Sequence, residues 1–254
     1  MSELTEVTED GFLDGRLRLR QPRKGHRAGH DAMLLAASTP ARGGDRVVDF
    51  GAGVGAAGLA LASRVRGLDL ALLEIAPELA ELARHNAAFN ALPAEILVMD
   101  VEAGAAAFAA NGLAPDSVDV VLMNPPFNDA GRHRGSPDAS RQRAHVATPT
   151  TLQGWVHAAR RLLKPSGVLT LIWRGDGLAE VLVALDRGFG GVAIQPVHGE
   201  ADAPAIRVLV RAIKGGRAPL SIYPSLLLND AAAKPSDIAD AALKGKAVLP
   251  LAKL

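Results

Sequence analysis

The chain has 254 residues, 48% of them apolar, and 28 Lys and Arg against 27 Asp and Glu give a formal net charge of +1. This length suits one large α/β domain with extensions, and near-neutrality excludes a global field for nucleic acid, so any such binding rests on local patches. There is no cysteine, which excludes disulfides, cysteine-ligated zinc and thiol catalysis and fits a cytoplasmic protein.

The first ten residues, MSELTEVTED, are acidic and lack the apolar stretch of a signal peptide. No later stretch reads as a membrane span, because charged residues interrupt every long apolar run. Residues 11–21 alternate Leu and Arg and predict a strand or hairpin with Arg16, Arg18 and Arg20 on one face. Arg23, Lys24 and Arg27 extend this into a basic patch. It reads equally as an RNA-phosphate contact or as a solvated face guarding a sheet edge. A short apolar helix is predicted over 31–38, before Pro40.

From residue 46 strands and helices alternate. Strands are predicted at 46–50, 68–73, 95–99, 117–123, 168–173, 192–198 and 206–213, and helices at 55–64, 77–90, 102–111, 151–163 and 177–187. Pro77 suits a first helical turn. The alternation predicts an α/β fold, a mostly parallel sheet with helices on both faces. The last two strands would form an antiparallel edge. In the remainder Ser236 is placed to cap a helix that stops at Gly245. The expected division is 1–44 as an N-terminal extension available to substrate, 45–213 as the main domain and 214–254 as a C-terminal extension.

A glycine loop stands where the first parallel strand meets the first helix. Ligands of open α/β sheets bind at such strand ends. Gly53-Val54-Gly55-Ala56-Ala57-Gly58 matches the GxGxxG of dinucleotide enzymes, a weak signal alone. Asp49-Phe50-Gly51-Ala52-Gly53-Val54-Gly55 matches the D-x-G-x-G-x-G of S-adenosylmethionine (SAM) methyltransferases. Glu74, at the end of the second strand, suits ribose hydroxyls in either register. Asp49 and Asp100 favour the second, one near a cationic methionine moiety and the other near an adenine amino group. The bland alternatives are a loop-capping carboxylate for Asp49 and a helix N-cap for Asp100.

Asn124-Pro125-Pro126-Phe127 follows the buried strand 117–123. The Asn124 side-chain oxygen and the Pro125 carbonyl can both accept hydrogen bonds from a planar amine, in a geometry preset by two prolines. Phe127 offers a face for a stacked base, worth roughly 1–3 kcal/mol in single-stranded sites. Alone, the tetrapeptide reads equally well as a proline-rich turn.

In this order the glycine loop, Glu74, Asp100 and NPPF resemble those of class I SAM-dependent methyltransferases, whose fold is Rossmann-like with a seven-stranded sheet. NPPF is similar to the [DNS]-P-P-[YFW] motif of enzymes that methylate adenine N6, guanine N2 or a glutamine amide. The segment from Gln21 to Ala36, and the C-terminal LLLND, resemble bacterial (adenine-N6)-methyltransferases of valine tRNA. The resemblance implies that Asp49, Gly51, Gly53 and Gly55 line the methionine end of SAM. Glu74 would hold its ribose, Ile75 would pack on adenine, and Asp100 with the Val101 N–H would bond the adenine amine. Asn124 and Pro125 would hold the target amine, Pro126 would brace the turn, and Phe127 would stack on the target ring. SAM is the expected cofactor, tRNA the expected partner, and neither a metal nor a membrane is expected.

The linker 128–150 carries Arg132, His133, Arg134, Arg141, Arg143 and His145 against Asp129 and Asp138. Loops this long are functional or disordered, and this one is expected to grip RNA. Its histidines read as surface groups, and Trp155 and Trp173 read as core. The competing readings are a guanine-amine rRNA methyltransferase, a protein glutamine-amide methyltransferase, an NAD-dependent oxidoreductase and a non-catalytic RNA-binding module.

Overall fold

A computed structural model describes residues 6–24, 27–126, 149–230, 232 and 234–253. Its centre is a sheet in which β3 (Arg46–Phe50), β4 (Asp69–Glu74), β5 (Glu95–Val98) and β6 (Val118–Met123) run parallel, with β7 (Leu163–Arg174) parallel to β6. β9 (Ala205–Lys214) pairs antiparallel with both β7 and β8 (Phe189–His198). β3, β4 and β6 are buried along nearly their whole length rather than on alternate residues because both sheet faces are covered. On one face Leu72, Leu122 and Ile172 pack with α1 (His30–Ser38), α2 (Ala56–Arg64), α3 (Pro77–Phe89) and α7 (Asp237–Leu243). On the other Phe50, Val121 and Leu171 pack with α4 (Ala105–Ala110) and α5 (Pro149–Leu162), and with Val181 and Leu185 of α6 (Leu178–Leu185). No described helix is long and apolar enough to cross a membrane.

The seven expected strands are all present, but the sheet has nine. β10 (Ser221–Ile222) and β11 (Leu226–Leu227) of the C-terminal segment pair parallel with β8. They occupy the edge expected to be antiparallel, because a bare β8 would leave a row of unpaired backbone groups. Two-residue strands carry no readable periodicity. The segment then fastens to the core. Ser236 accepts from the Ala239 N–H, as its capping position predicts. The Leu249 N–H reaches the Ala37 carbonyl at 2.9 Å, and the buried Arg211 donates to the carbonyls of Leu251 and Lys253.

The N-terminal hairpin pairs β1 (Val7–Phe12) with β2 (Leu17–Pro22). Leu17 and Leu19 point inward and are fully buried, which leaves Arg18 and Arg20 outward. β2 docks on a helix through side-chain amides. Asn90, which caps the end of α3, accepts from the Arg18 N–H and donates to its carbonyl, and Asn86 of α3 does the same for Arg20, all within 3.0 Å. The match is geometric: four residues along a helix rise about 6 Å, as do two along a strand.

This hairpin changes the charge of the basic patch. Arg18 and Arg20 flank Glu9, Arg23 pairs with Glu6 at 2.7 Å, and Arg27 pairs with Asp10 at 2.7 Å. Arg16 donates to the Lys244 carbonyl. The acids come from the opposite strand, so they are invisible in the run from Arg16 to Arg27.

Candidate active site

Three strand ends build the site. The loop after β3 turns on Gly51, Gly53 and Gly55, with φ of 62°, 57° and 87°. This left-handed region is open to glycine at little cost, which accounts for their alternate spacing. The side-chain space of Gly51 is filled by the Trp155 indole, where a Cβ would overlap Cη2. Beside Gly53 a Cβ would meet nothing within 4 Å. One glycine is thus kept small by packing and its neighbour faces open space. Gly55 caps α2.

Asp49 is buried and accepts from the Gly58 N–H at 2.8 Å. A Cβ at Gly58 would crowd Leu72 and Asp49. The two readings of the loop therefore share one cause: Gly58 gives the GxGxxG register because it lets the Asp49 carboxylate reach the helix backbone. Glu74 spans the loop from β4. Its Oε2 accepts from the Gly53 N–H and its Oε1 from the Ala76 N–H, each at 2.8 Å. Ile75 beside it is 46% exposed, free to cover a flat ligand. Asp100 accepts from the Glu102 N–H at 2.8 Å. It closes a turn rather than capping a helix, because α4 begins only at Ala105 behind Gly104. Val101 is buried.

A cavity of about 310 Å³ opens at the glycine loop. Asp49, Gly51, Gly53 and Asn124 line it, while Gly55, Glu74, Ile75, Asp100 and Val101 do not. The opposite wall is the segment from Arg27 to Ala32. It is held by an ion pair of 2.8 Å between Asp31 and Arg207 of β9. Composition gave no sign of His30 and Asp31 as wall residues; only their place in the first turn of α1 could have suggested it. Arg27, grouped in the sequence with RNA contacts, stands at this wall. Trp155 and Trp173 are core, as expected. Phe127, Arg132, His133, Arg134, Arg141, Arg143 and His145 lie outside the described residues.

Asn124 leaves the end of β6 with its Oδ1 buried and, among the described residues, without a hydrogen-bond partner. A buried acceptor left so costs about 1–3 kcal/mol, and it is aimed at a cavity. Pro125 behind it is buried and Pro126 is exposed. An acceptor in such a place suits a ligand that brings an N–H.

Burial pushes the Asp49 carboxyl from 3.8 up to about 7, against the Gly58 N–H, which lowers it, and with the Glu74 charge, which raises it further. Folding alone therefore favours the protonated form, and this group's contribution to stability is lost as pH rises from about 4 to 7. A cationic ligand reverses the preference and expels the proton. Binding of SAM or its product should weaken by up to about tenfold per pH unit below 7. Calorimetry in buffers of different ionisation enthalpy should detect the released proton, and Asp49→Asn should abolish that release. A binding enthalpy independent of buffer at pH 6 would count against this role.

The donor set fits SAM: a carboxylate for a cationic end, a carboxylate and exposed Ile75 on the adjacent strand, and an open glycine backbone between them. Comparison with known proteins agrees. The family model of the methyltransferase small domain matches residues 28–196. A tRNA1(Val) (adenine(37)-N6)-methyltransferase of Tolumonas auensis is 29% identical, over 68% of this chain and 70% of that one. A release factor glutamine methyltransferase of Chlorobaculum tepidum is 26% identical, over 75% and 67%. A crystal structure described as a predicted O-methyltransferase from Agrobacterium tumefaciens aligns with a TM-score of 0.72 at 32% identity, covering 86% of this chain and 98% of that one. The fold, the loop and the extent of the match lead to one kinship: this chain belongs to the methyltransferase small domain family, whose class I fold implies SAM as the methyl donor.

Proposed function

We propose that this enzyme methylates the exocyclic amino group of a nucleobase, adenine in tRNA before others, and works in the cytoplasm. The observation that carries the reading is the buried Asn124 Oδ1 at the donor cavity, without a hydrogen-bond partner among the described residues. The relative from Tolumonas auensis supports adenine and tRNA as the target. Residues 45–213 would be the catalytic domain, 1–44 would face substrate and 214–254 would brace the fold.

Bound SAM supplies an electrophilic methyl group. The protein's part is positional. An adenine amine is a poor nucleophile because its lone pair is delocalised into the ring. Asn124 Oδ1 and the Pro125 carbonyl would each accept one of its N–H bonds. That draws electron density onto nitrogen and turns the lone pair toward the donor. The same two acceptors would stabilise positive charge as it develops on nitrogen. No strong base is needed, since the methylated ammonium loses its proton readily. A base within a stack cannot reach the cavity, so the target is single-stranded or flipped out. Phe127 would stack on it, and Arg23, Lys24, Arg132, Arg134, Arg141 and Arg143 would hold the backbone.

The test is transfer of labelled methyl from SAM into tRNA, ribosomal RNA and protein from cells lacking the gene, with nucleoside and amino-acid analysis. N6-methyladenosine in tRNA is expected. Methylguanine in ribosomal RNA or methylglutamine in protein would keep the mechanism and replace the substrate. The glutamine outcome has its own support, because the hairpin arginines are already matched by acids.

A further inference from the structure

Asn86 of α3 is fully buried. Its Oδ1 accepts from the Arg20 N–H at 2.8 Å, and its Nδ2 donates to the Arg20 and Val54 carbonyls, each at 3.0 Å. Docking the hairpin does not require the last of these bonds. Asn90, one turn on, grips Arg18 with the same pair of bonds and spends its other N–H inside its own helix, on the Asn86 carbonyl at 2.7 Å. The two side chains do one task on β2 and differ in where the remaining donor goes.

The Val54 carbonyl shares a planar peptide unit with the Gly55 N–H, between two glycines of positive φ. Glycine peptides reorient easily when nothing holds them. This one is held at both ends, by Asn86 at the carbonyl and by the Ala52 carbonyl, 2.8 Å from the Gly55 N–H. The Arg20 backbone fixes the Asn86 amide so that its donor points at the loop. On the reading of this cavity as the SAM site, we propose that Asn86 is a positioning residue for the donor. It sets the Val54–Gly55 peptide from behind, and the N-terminal hairpin thereby becomes part of the donor-binding framework.

Asn90→Ala is the control, since it loosens the hairpin and leaves Val54 alone. Asn86→Ala should lose more thermal stability than Asn90→Ala, because its bond to Val54 is buried and its bonds to Arg20 are partly so, whereas those of Asn90 to Arg18 are exposed, so binding is compared at a temperature where both variants are folded. Asn86→Ala should raise the Kd for S-adenosylhomocysteine at least about tenfold more than Asn90→Ala, as loss of a buried hydrogen bond to a mobile loop would. In methyl transfer its KM for SAM should rise while kcat at saturation stays within about threefold. Asn86→Asp is the second variant. It keeps the acceptor for the Arg20 N–H but, as a carboxylate, loses the donors to both the Arg20 and Val54 carbonyls at a buried position, so in the folded protein it should weaken binding at least as much. Equal effects of the Asn86 and Asn90 substitutions, or wild-type affinity in a folded Asn86 variant, would overturn the proposal. A readout independent of variants is hydrogen exchange in the wild-type chain. S-adenosylhomocysteine should slow exchange at the Arg20 amide more than at Arg18, and equal protection at both counts against the proposal. If the wild-type chain failed to bind S-adenosylhomocysteine at all, the reading of the cavity would fall instead.

Discussion

Asn124→Ala should lower kcat by about 10²–10³-fold, the loss that follows removal of one preorganised polar group at a reacting centre, while the Kd for SAM stays within about twofold. The separation follows from geometry. The donor end of the cavity is built by Asp49 and the glycine loop, and Asn124 reaches it from β6, a different strand. Its Oδ1 has no hydrogen-bond partner to lose among the described residues. Stability should therefore hold or rise slightly, since a buried unpaired acceptor disappears. Asn124→Asp keeps an acceptor at the same place and should retain more activity than Ala. Single-turnover transfer with a saturating donor, beside calorimetric donor binding, separates the two effects. A parallel loss of donor affinity in Asn124→Ala would place the residue in the donor site instead.

Gly51→Ala should destabilise the chain by roughly 2–5 kcal/mol, combining about 1–2 for a side chain in the left-handed region with about 1–3 for overpacking. Both causes act at this residue: φ is 62°, and the Trp155 ring fills the space a methyl would need. Trp155 also meets Phe50 edge-on at 6.3 Å, so the ring cannot withdraw without disturbing the core. Donor affinity should fall as well, because Gly51 lines the cavity. Adding Trp155→Leu should recover the steric part and leave the backbone part, which a double-mutant cycle in denaturant would resolve. At Gly53, where a Cβ meets nothing, the same substitution should cost only the backbone strain. Equal destabilisation at the two glycines would refute the assignment of Trp155 as the cause.

The parallel core was legible because buried strands such as 118–123 are mostly apolar runs closed by turn residues. The strand ends followed, and with them Asp49, the glycines and Asn124. Contacts between distant segments were not legible. The run from Arg16 to Arg27 shows no acid, yet Glu6, Glu9 and Asp10 meet it across a hairpin. The wall from Arg27 to Ala32 was hard to foresee, because a loop and the first turn of the helix it enters give little sign of what they face. β7 also begins earlier than its apolar run, at Leu163, because Val118 pairs there before a register shift. Asn86 and Asn90 read as ordinary residues of a helix, and only the docked hairpin reveals their use.

That docking bears on solubility. A two-stranded ribbon beside a helical layer presents an outer strand to which a second molecule could add itself. Here α3 supplies amide groups in place of a neighbouring strand and occupies the main-chain positions of Arg18 and Arg20. The β2 edge of the ribbon is thus closed to strand addition by side-chain amides, from two asparagines that belong to no strand.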